Sequence, residues 1–172
     1  HTRCSRDWSS DVCSSDLKTT GAKYESPQWA RDYPKLKVFT GVEDLGPKTK
    51  IIPTLLRTED PETIIITADD DIVYHKDMIS YHVEARRIYD NYAIGFSGTK
   101  NSRLYMTAKD DIEVDILDNY KTASYTRGMF GDDFFSQYAD KSWNDDLVIS
   151  AYLRDKKIPK IVMSDRKSTR LN

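Results

Sequence analysis

The stretch TIIITADDDIVY, residues 63–74, decides how the rest of the chain is read. It is a β-branched apolar run that ends abruptly in Asp69, Asp70 and Asp71. Ile and Thr are stiff at χ1 and suit a pleated surface, and no turn residue interrupts them, so the run predicts a buried strand. A run apolar on both faces predicts a strand covered on both sides, as in an α/β sheet. Such sheets bind ligands at the carboxyl ends of their strands, where the three carboxylates fall. Adjacent like charges repel, and a divalent cation is the simplest partner that relieves them. Mg²⁺ and Mn²⁺ prefer carboxylate oxygen. The alternative is a solvated acidic turn after a strand.

Working outward, residues 35–40 alternate as a strand. Pro47 can open a helix on which Ile51, Ile52, Leu55 and Leu56 share a face, with Pro53 as a breaker that shortens or kinks it. After the acids, Asp77 can cap a helix to about Asp90. Its inner face is Met78, Tyr81, His82, Ala85, Ile88 and Tyr89, and Glu84, Arg86 and Arg87 fall on the polar side. Residues 92–97 read as the next strand, which completes a strand–helix–strand crossover unit. Residues 98–111 read as a polar surface loop, and 112–117 and 120–126 as short strands. Ser142 or Asn144 can cap a last helix with Asp145 and Asp146 in its first turn, closed by Lys156 and Lys157. Residues 160–163 form a final strand.

The chain has 172 residues, in the range of one domain, with 31% charged and 38% hydrophobic residues. A net charge of −2 supplies no field for nucleic acid or an acidic membrane. No apolar run approaches the roughly 20 residues of a membrane span, and no secretory h-region is present. The ends, HTRCSRDWSSDVCSSDL at 1–17 and DRKSTRLN at 165–172, are aperiodic and resemble translated sequencing-adapter read-through. They are expected to be foreign tails flanking a partial domain at 18–164. Cys4 and Cys13 both lie in the first tail, so a zinc or disulfide reading of that pair is discounted. Residues 18–34, with Pro27 and Pro34, read as loop.

In this order the core resembles the GT-A glycosyltransferases, family 2-like members. The resemblance covers residues 35–163 and is carried by GPKTKIIPTL (46–55), TIIITADDDIVY (63–74), YAIGFSG (92–98), YKTASYTRGMF (120–130) and WNDDLVISAYL (143–153). A lone D-x-D is weak, and the order of the pieces is what makes the pattern specific. The resemblance implies an α/β fold with a Rossmann-like mixed sheet and flanking helices, incomplete at its N-terminus. It implies metal-dependent, inverting transfer of a sugar from a nucleotide-diphosphate sugar, a UDP-sugar first, to a glycan or other hydroxyl acceptor, with Mn²⁺ or Mg²⁺. Asp69 and Asp70 then take the nucleotide side, and Asp71 with Asp69 the metal. Asp146, beside Asp145, is the base that removes the acceptor proton. Trp143 is an acceptor platform or a hydrophobic staple, and Tyr125 and Arg127 line the sugar or acceptor site or simply pack.

Lys48 and Lys50 reach a phosphate or are solvated helix charges. His75 is a possible metal ligand, and His82 reads as a satisfied core residue. The family's base-binding half is expected to be missing before residue 18, which predicts a fragment that folds in part and binds metal weakly but fails to turn over. Two alternatives stand beside this. Asp69 to Val73 fits D-x-D-x-[TV], the string of haloacid-dehalogenase-type phosphotransfer with Asp69 as nucleophile. The other is a non-catalytic carbohydrate- or cation-binding module.

Overall fold

The computed structural model describes residues 10–15, 25–26, 28–69, 71–105, 110–142 and 144–164. It divides into two compact units, His1–Leu56 and Arg57–Asn172. That boundary falls inside the span the sequence reads as one domain.

The first unit contains β1 (Ser10–Ser15), α1 (Gln28–Asp32), β2 (Leu36–Val42) and a 3₁₀ turn at Gly46–Lys50; α2 (Ile52–Arg57) begins in it. β1 runs parallel to β2, from Ser10 opposite Leu36 to Ser15 opposite Val42. The aperiodic sequence of this segment predicted no strand. A parallel ladder is made by main-chain groups, so it does not need an apolar alternation. α1 falls in the stretch expected to be loop, and buries Ala30. Pro53 is the second residue of α2, where the backbone N–H has no intrahelical partner, so it starts this helix rather than kinking it. Leu55 is buried but Leu56 is exposed, and Lys48 is buried rather than solvated.

The second unit is mixed α/β, with a mixed sheet and flanking helices. In chain order it holds β3 (Ile64–Thr67), α3 (Met78–Ile88), β4 (Ala93–Gly95), β5 (Gly98–Lys100), β6 (Arg103–Tyr105), β7 (Ile112–Glu113), β8 (Ile116–Leu117), a 3₁₀ turn (Asn119–Lys121), β9 (Ala123–Thr126), a second 3₁₀ turn (Arg127–Met129), α4 (Asp132–Gln137), α5 (Asp145–Asp155) and β10 (Lys160–Val162). One sheet has the order β3-β9-β4-β10-β7. β9 is antiparallel to both β3 and β4, so the two strands of the crossover are parallel to each other without being neighbours. β10 adds parallel to β4.

Among the described residues β3 lies at one edge of this sheet, with one face buried and the other half-buried. Ile65 and Thr67 are buried while Ile64 and Ile66 are half-buried. Four β-branched residues satisfy an edge and a centre equally, so the apolar run could not tell the two apart.

The stretch expected to be a surface loop contains a hairpin. Lys100 pairs with Arg103, and Asn101 and Ser102 between them have φ of 48° and 62°. Positive φ at both loop residues is the two-residue type I′ connection that matches strand twist. Residues 112–117 are not one strand. β7 pairs with β10, and β8 pairs with β5 in a separate sheet of order β6-β5-β8. Gly98 sits where the chain leaves the first sheet for the second. A Cβ there would lie 2.7 Å from the Ile116 carbonyl oxygen and 2.9 Å from Val162, so the close approach needs glycine.

α3 lies on the sheet through Ala85, over Ile94, Phe96, Ile161 and Met163, with Tyr81, Tyr89 and Tyr92 at the margin. Asp77 precedes this helix as expected, but its side chain makes no capping bond. Its backbone (φ −98°, ψ 12°) lacks the extended geometry that aims a cap at the first turn. On the other side, Phe130, Phe134, Tyr138 and Tyr152 form an aromatic cluster, with the Phe134 and Tyr152 rings 5.0 Å apart and edge-on.

Arg86 departs from its expected place on the polar face. It is buried, and its guanidinium donates to the carbonyls of Tyr89, Asp90, Tyr92 and, at 3.0 Å, Ser124. A long side chain on a helix edge can turn inward where carbonyls at a helix end and a neighbouring strand lack donors. The result ties the end of α3 to β4 and β9.

α5 starts and stops as its residues predict. Asn144 accepts from the Leu147 amide at 2.9 Å, which caps the first turn. At the far end Ile158 N–H reaches Leu153 O at 2.8 Å and Lys157 N–H reaches Arg154 O at 2.9 Å, a Schellman closure with Lys157 at φ 58°. Among the described residues, no helix is long and apolar enough to cross a membrane.

Candidate functional site

The β3 run ends at Thr67, and Asp69 follows two residues later at the carboxyl end of the strand. Thr67 is paired with Ala123, the first residue of β9. The 3₁₀ turn Asn119–Lys121 feeds β9, so it lies beside the end of β3, next to the acidic loop. This pairing brings the two acidic motifs of the sequence towards one another.

Two sets of hydrogen bonds meet in the turn between them. In one, the Asp69 amide donates to the Tyr74 hydroxyl at 2.8 Å, and that hydroxyl donates to the Tyr120 carbonyl at 3.2 Å. In the other, the Thr67 hydroxyl lies 3.4 Å from Asn119 Oδ1, and Asn119 donates twice to Asp146. Its backbone N–H reaches Asp146 Oδ1 at 2.7 Å and its side-chain Nδ2 reaches the same oxygen at 2.9 Å. Tyr120 and Asn119 are consecutive, so both sets share the same turn.

Asp145 and Asp146 open α5, as the sequence predicts. Asp145 is buried and Asp146 half-buried. The helix dipole favours negative charge in this first turn. The Asp146 carboxyl is nonetheless raised from its ordinary value. Burial is the largest cause, and Asp145 and Asp118 add to it, outweighing the two Asn119 donors that lower it. Asp118 is itself buried and accepts from the Ser97 hydroxyl at 2.6 Å. Burial, then the charge of Asp118, raises the Tyr120 phenol.

Tyr125 is completely buried, with its hydroxyl 2.6 Å from Asn119 Oδ1 and its ring edge-on to Phe130 at 5.5 Å. It has no surface to offer a sugar, which corrects its reading as a substrate-binding residue; it supports Asn119 from behind. Arg127 donates through Nε to the Thr58 carbonyl at 3.0 Å and through Nη1 to the Phe130 carbonyl. These bonds hold it to backbone rather than to the acidic loop. Asp70 and Trp143 lie outside the described residues.

His75 Nδ1 takes the Asp77 amide at 3.2 Å, and its ring packs on Tyr81 at 5.7 Å, so that nitrogen is committed to the entry of α3. His82 is a satisfied core residue. Nδ1 is 2.9 Å from Ser124 Oγ and Nε2 is 3.0 Å from Thr122 Oγ1.

Among the described residues, no three His, Cys, Asp or Glu side chains converge to hold a metal. The donors at the end of β3 are nonetheless of the right kind. Asp69 is half-buried and Asp71 exposed, both with hard oxygen ligands. Mg²⁺ and related ions are commonly held by one or two carboxylates with the remaining positions filled by phosphate oxygens and water.

The residues that sequence reading missed are Asn119, Tyr74 and Asp118. Tyr74 closes the TIIITADDDIVY motif but was given no role there, and no motif marked Asn119 or Asp118, because these roles come from pairing across the sheet. Compared with known proteins, the chain matches no family model and no curated protein.

Proposed function

We propose that the second unit carries the donor-metal and base elements of a metal-dependent glycosyltransferase of the GT-A type. The reaction moves a sugar from a nucleotide-diphosphate sugar, a UDP-sugar first, to an acceptor hydroxyl with inversion. The supporting observation is that the Asn119–Lys121 turn is hydrogen-bonded both to the Asp69 loop, through Tyr74, and to Asp146, through Asn119. Two acidic motifs separated by more than seventy residues of sequence are thereby tied to one turn, an arrangement that suits a donor site and a base acting together.

Each residue then has a task. Asp69 receives the nucleotide side of the donor, and Asp71 with Asp69 supplies carboxylate oxygen to the cation. The cation, when bound, offsets the negative charge that builds on the departing diphosphate. Asp146 accepts the proton of the acceptor hydroxyl as that oxygen attacks the anomeric carbon from the face opposite the diphosphate. The bonding pair leaves with the diphosphate. A carboxyl raised above its ordinary value is a stronger base than a free aspartate, which suits this role.

The test is transfer and hydrolysis of UDP-sugars in the presence of Mn²⁺. Asp146→Asn is expected to lower kcat on the order of 10²-fold or more with a small change in donor KM. Asp71→Asn is expected to raise the Mn²⁺ concentration needed for half-maximal rate. A phosphoryl group trapped on Asp69 would overturn this reading in favour of phosphotransfer. Transfer that survives Asp146→Asn undiminished would remove the base assignment.

A further inference from the structure

We propose that Asn119 is the positioning residue of Asp146, clamping its Oδ1 and leaving Oδ2 as the oxygen that takes the acceptor proton. The inference deepens the reading of Asp146 as a base and rests on it for its catalytic consequence.

The geometry begins with burial. Asn119 is fully buried, and its amide is oriented by what surrounds it. Oδ1 receives the Tyr125 hydroxyl at 2.6 Å and faces the Thr67 hydroxyl at 3.4 Å. Nδ2 and the backbone N–H both point at Asp146 Oδ1. A flipped amide would set oxygen against the carboxylate, so only one orientation satisfies the network. Two donors converging on one carboxylate oxygen fix the plane of the group as well as its position. Among the described residues, no hydrogen bond falls on Asp146 Oδ2. The same Asn119 oxygen faces Thr67, two residues before Asp69, so one side chain references the base to the strand that carries the acidic loop.

Asp146 is faced by Asp145 on its own helix, by Asp118 and Tyr120 at the turn, and by Tyr125 from β9. All four are neutral or anionic. Within this set the Asn119 donors are the groups that favour the ionised carboxylate. Removing Nδ2 therefore lets burial and the neighbouring carboxylates push the group further up.

The experiment is a carboxyl-carbon NMR titration of the full chain, with the Asp146 signal assigned by its loss in Asp146→Asn. It is read without donor or metal. Asn119→Ala removes Nδ2 and Oδ1 but keeps the backbone donor. Asn119→Asp preserves shape and the acceptor for Tyr125, and sets a second carboxyl against Asp146 Oδ1; it serves if the alanine variant does not fold. Both variants are expected to move the Asp146 midpoint upward, Asn119→Asp further. In UDP-sugar transfer, both are expected to lower kcat near neutral pH by about 10-fold or more, with donor KM within about 2-fold, and to shift the acid limb of the kcat profile to higher pH. An Asp146 midpoint that stays at its wild-type position in both variants would overturn the clamp. A midpoint that moves in a protein transferring no sugar at any pH would support the clamp and sink the glycosyltransferase reading instead.

Discussion

Lowering the pH tests the packing of α3 against β9 through a single side chain. His82 is fully buried between these elements, and both ring nitrogens are taken up by the hydroxyls of Ser124 and Thr122. Burial first, and the nearby Arg86 charge second, lower its pKa from 6.5 to about 3. A histidine depressed in this way is neutral when folded and takes a proton on unfolding. Its contribution is complete above pH 6.5 and is lost as the pH falls from 6.5 towards 3. The fall from 6.5 to about 3, at about 1.4 kcal/mol for each pH unit, corresponds to about 5 kcal/mol over the whole window. Between pH 7 and pH 5 the loss is about 2 kcal/mol.

Urea unfolding at pH 7, 6 and 5 reads this directly. The control is His82→Gln, whose amide can face both hydroxyls without titrating. It costs stability at every pH but should flatten the slope by one proton. Asp146 acts in the opposite sense, because its raised carboxyl favours the folded state as the pH falls, and it is present in both chains. If His82→Gln loses stability between pH 7 and pH 5 as steeply as the wild type, the buried neutral histidine is not the cause.

Two further perturbations probe the frame around the site. Arg86→Leu leaves the carbonyls of Tyr89, Asp90, Tyr92 and Ser124 without that donor and is expected to cost about 3 kcal/mol or more in urea. Arg86→Lys should recover less than half of it, since one ammonium cannot span the fork, and a loss below about 1 kcal/mol for Arg86→Leu would contradict the tie. Lys157→Gly should stabilise by about 1 kcal/mol and raise Tm by about 2–4 °C, because the left-handed residue of the α5 closure carries a side chain there; a lower Tm would refute it.

Local chemistry made much of this chain legible. The residues after Trp143 announced α5, since Asn144 is a capping type and two acids follow it at the positive end of the dipole. Most of the inner face of α3 was readable from spacing, and so was His82 as a core residue, but Ile88, expected on that face, is exposed where the helix runs out past the sheet core. Arg86 was not, because a helical wheel assigns an arginine outward and only the carbonyls waiting beside it reverse that. The hairpin at Asn101 and Ser102 was missed because Ser is an uncommon residue at positive φ, so the turn carried no strong signal. Tyr125 looked like a site residue by its place in a motif, and its burial behind Asn119 made it a support instead.

The sequence by itself determined the elements that carry the acids, β3, α3 and α5, and the chemistry at their ends. A β-branched run terminating in carboxylates places acids at a strand end, and a capped helix places two more at its N-terminus. These follow from interactions within a few residues, which any local stretch carries. Only the tertiary structure decided which ends meet. β9 enters between β3 and β4, its leading turn comes to rest beside the end of β3, and Asn119 in that turn reaches Asp146. Strand order is set by long-range pairing, and a four-residue apolar run can pair with several neighbours with equal satisfaction. The acidic cluster of residues 69–71 is therefore written in the chain, and its connection to Asp146 belongs to the fold.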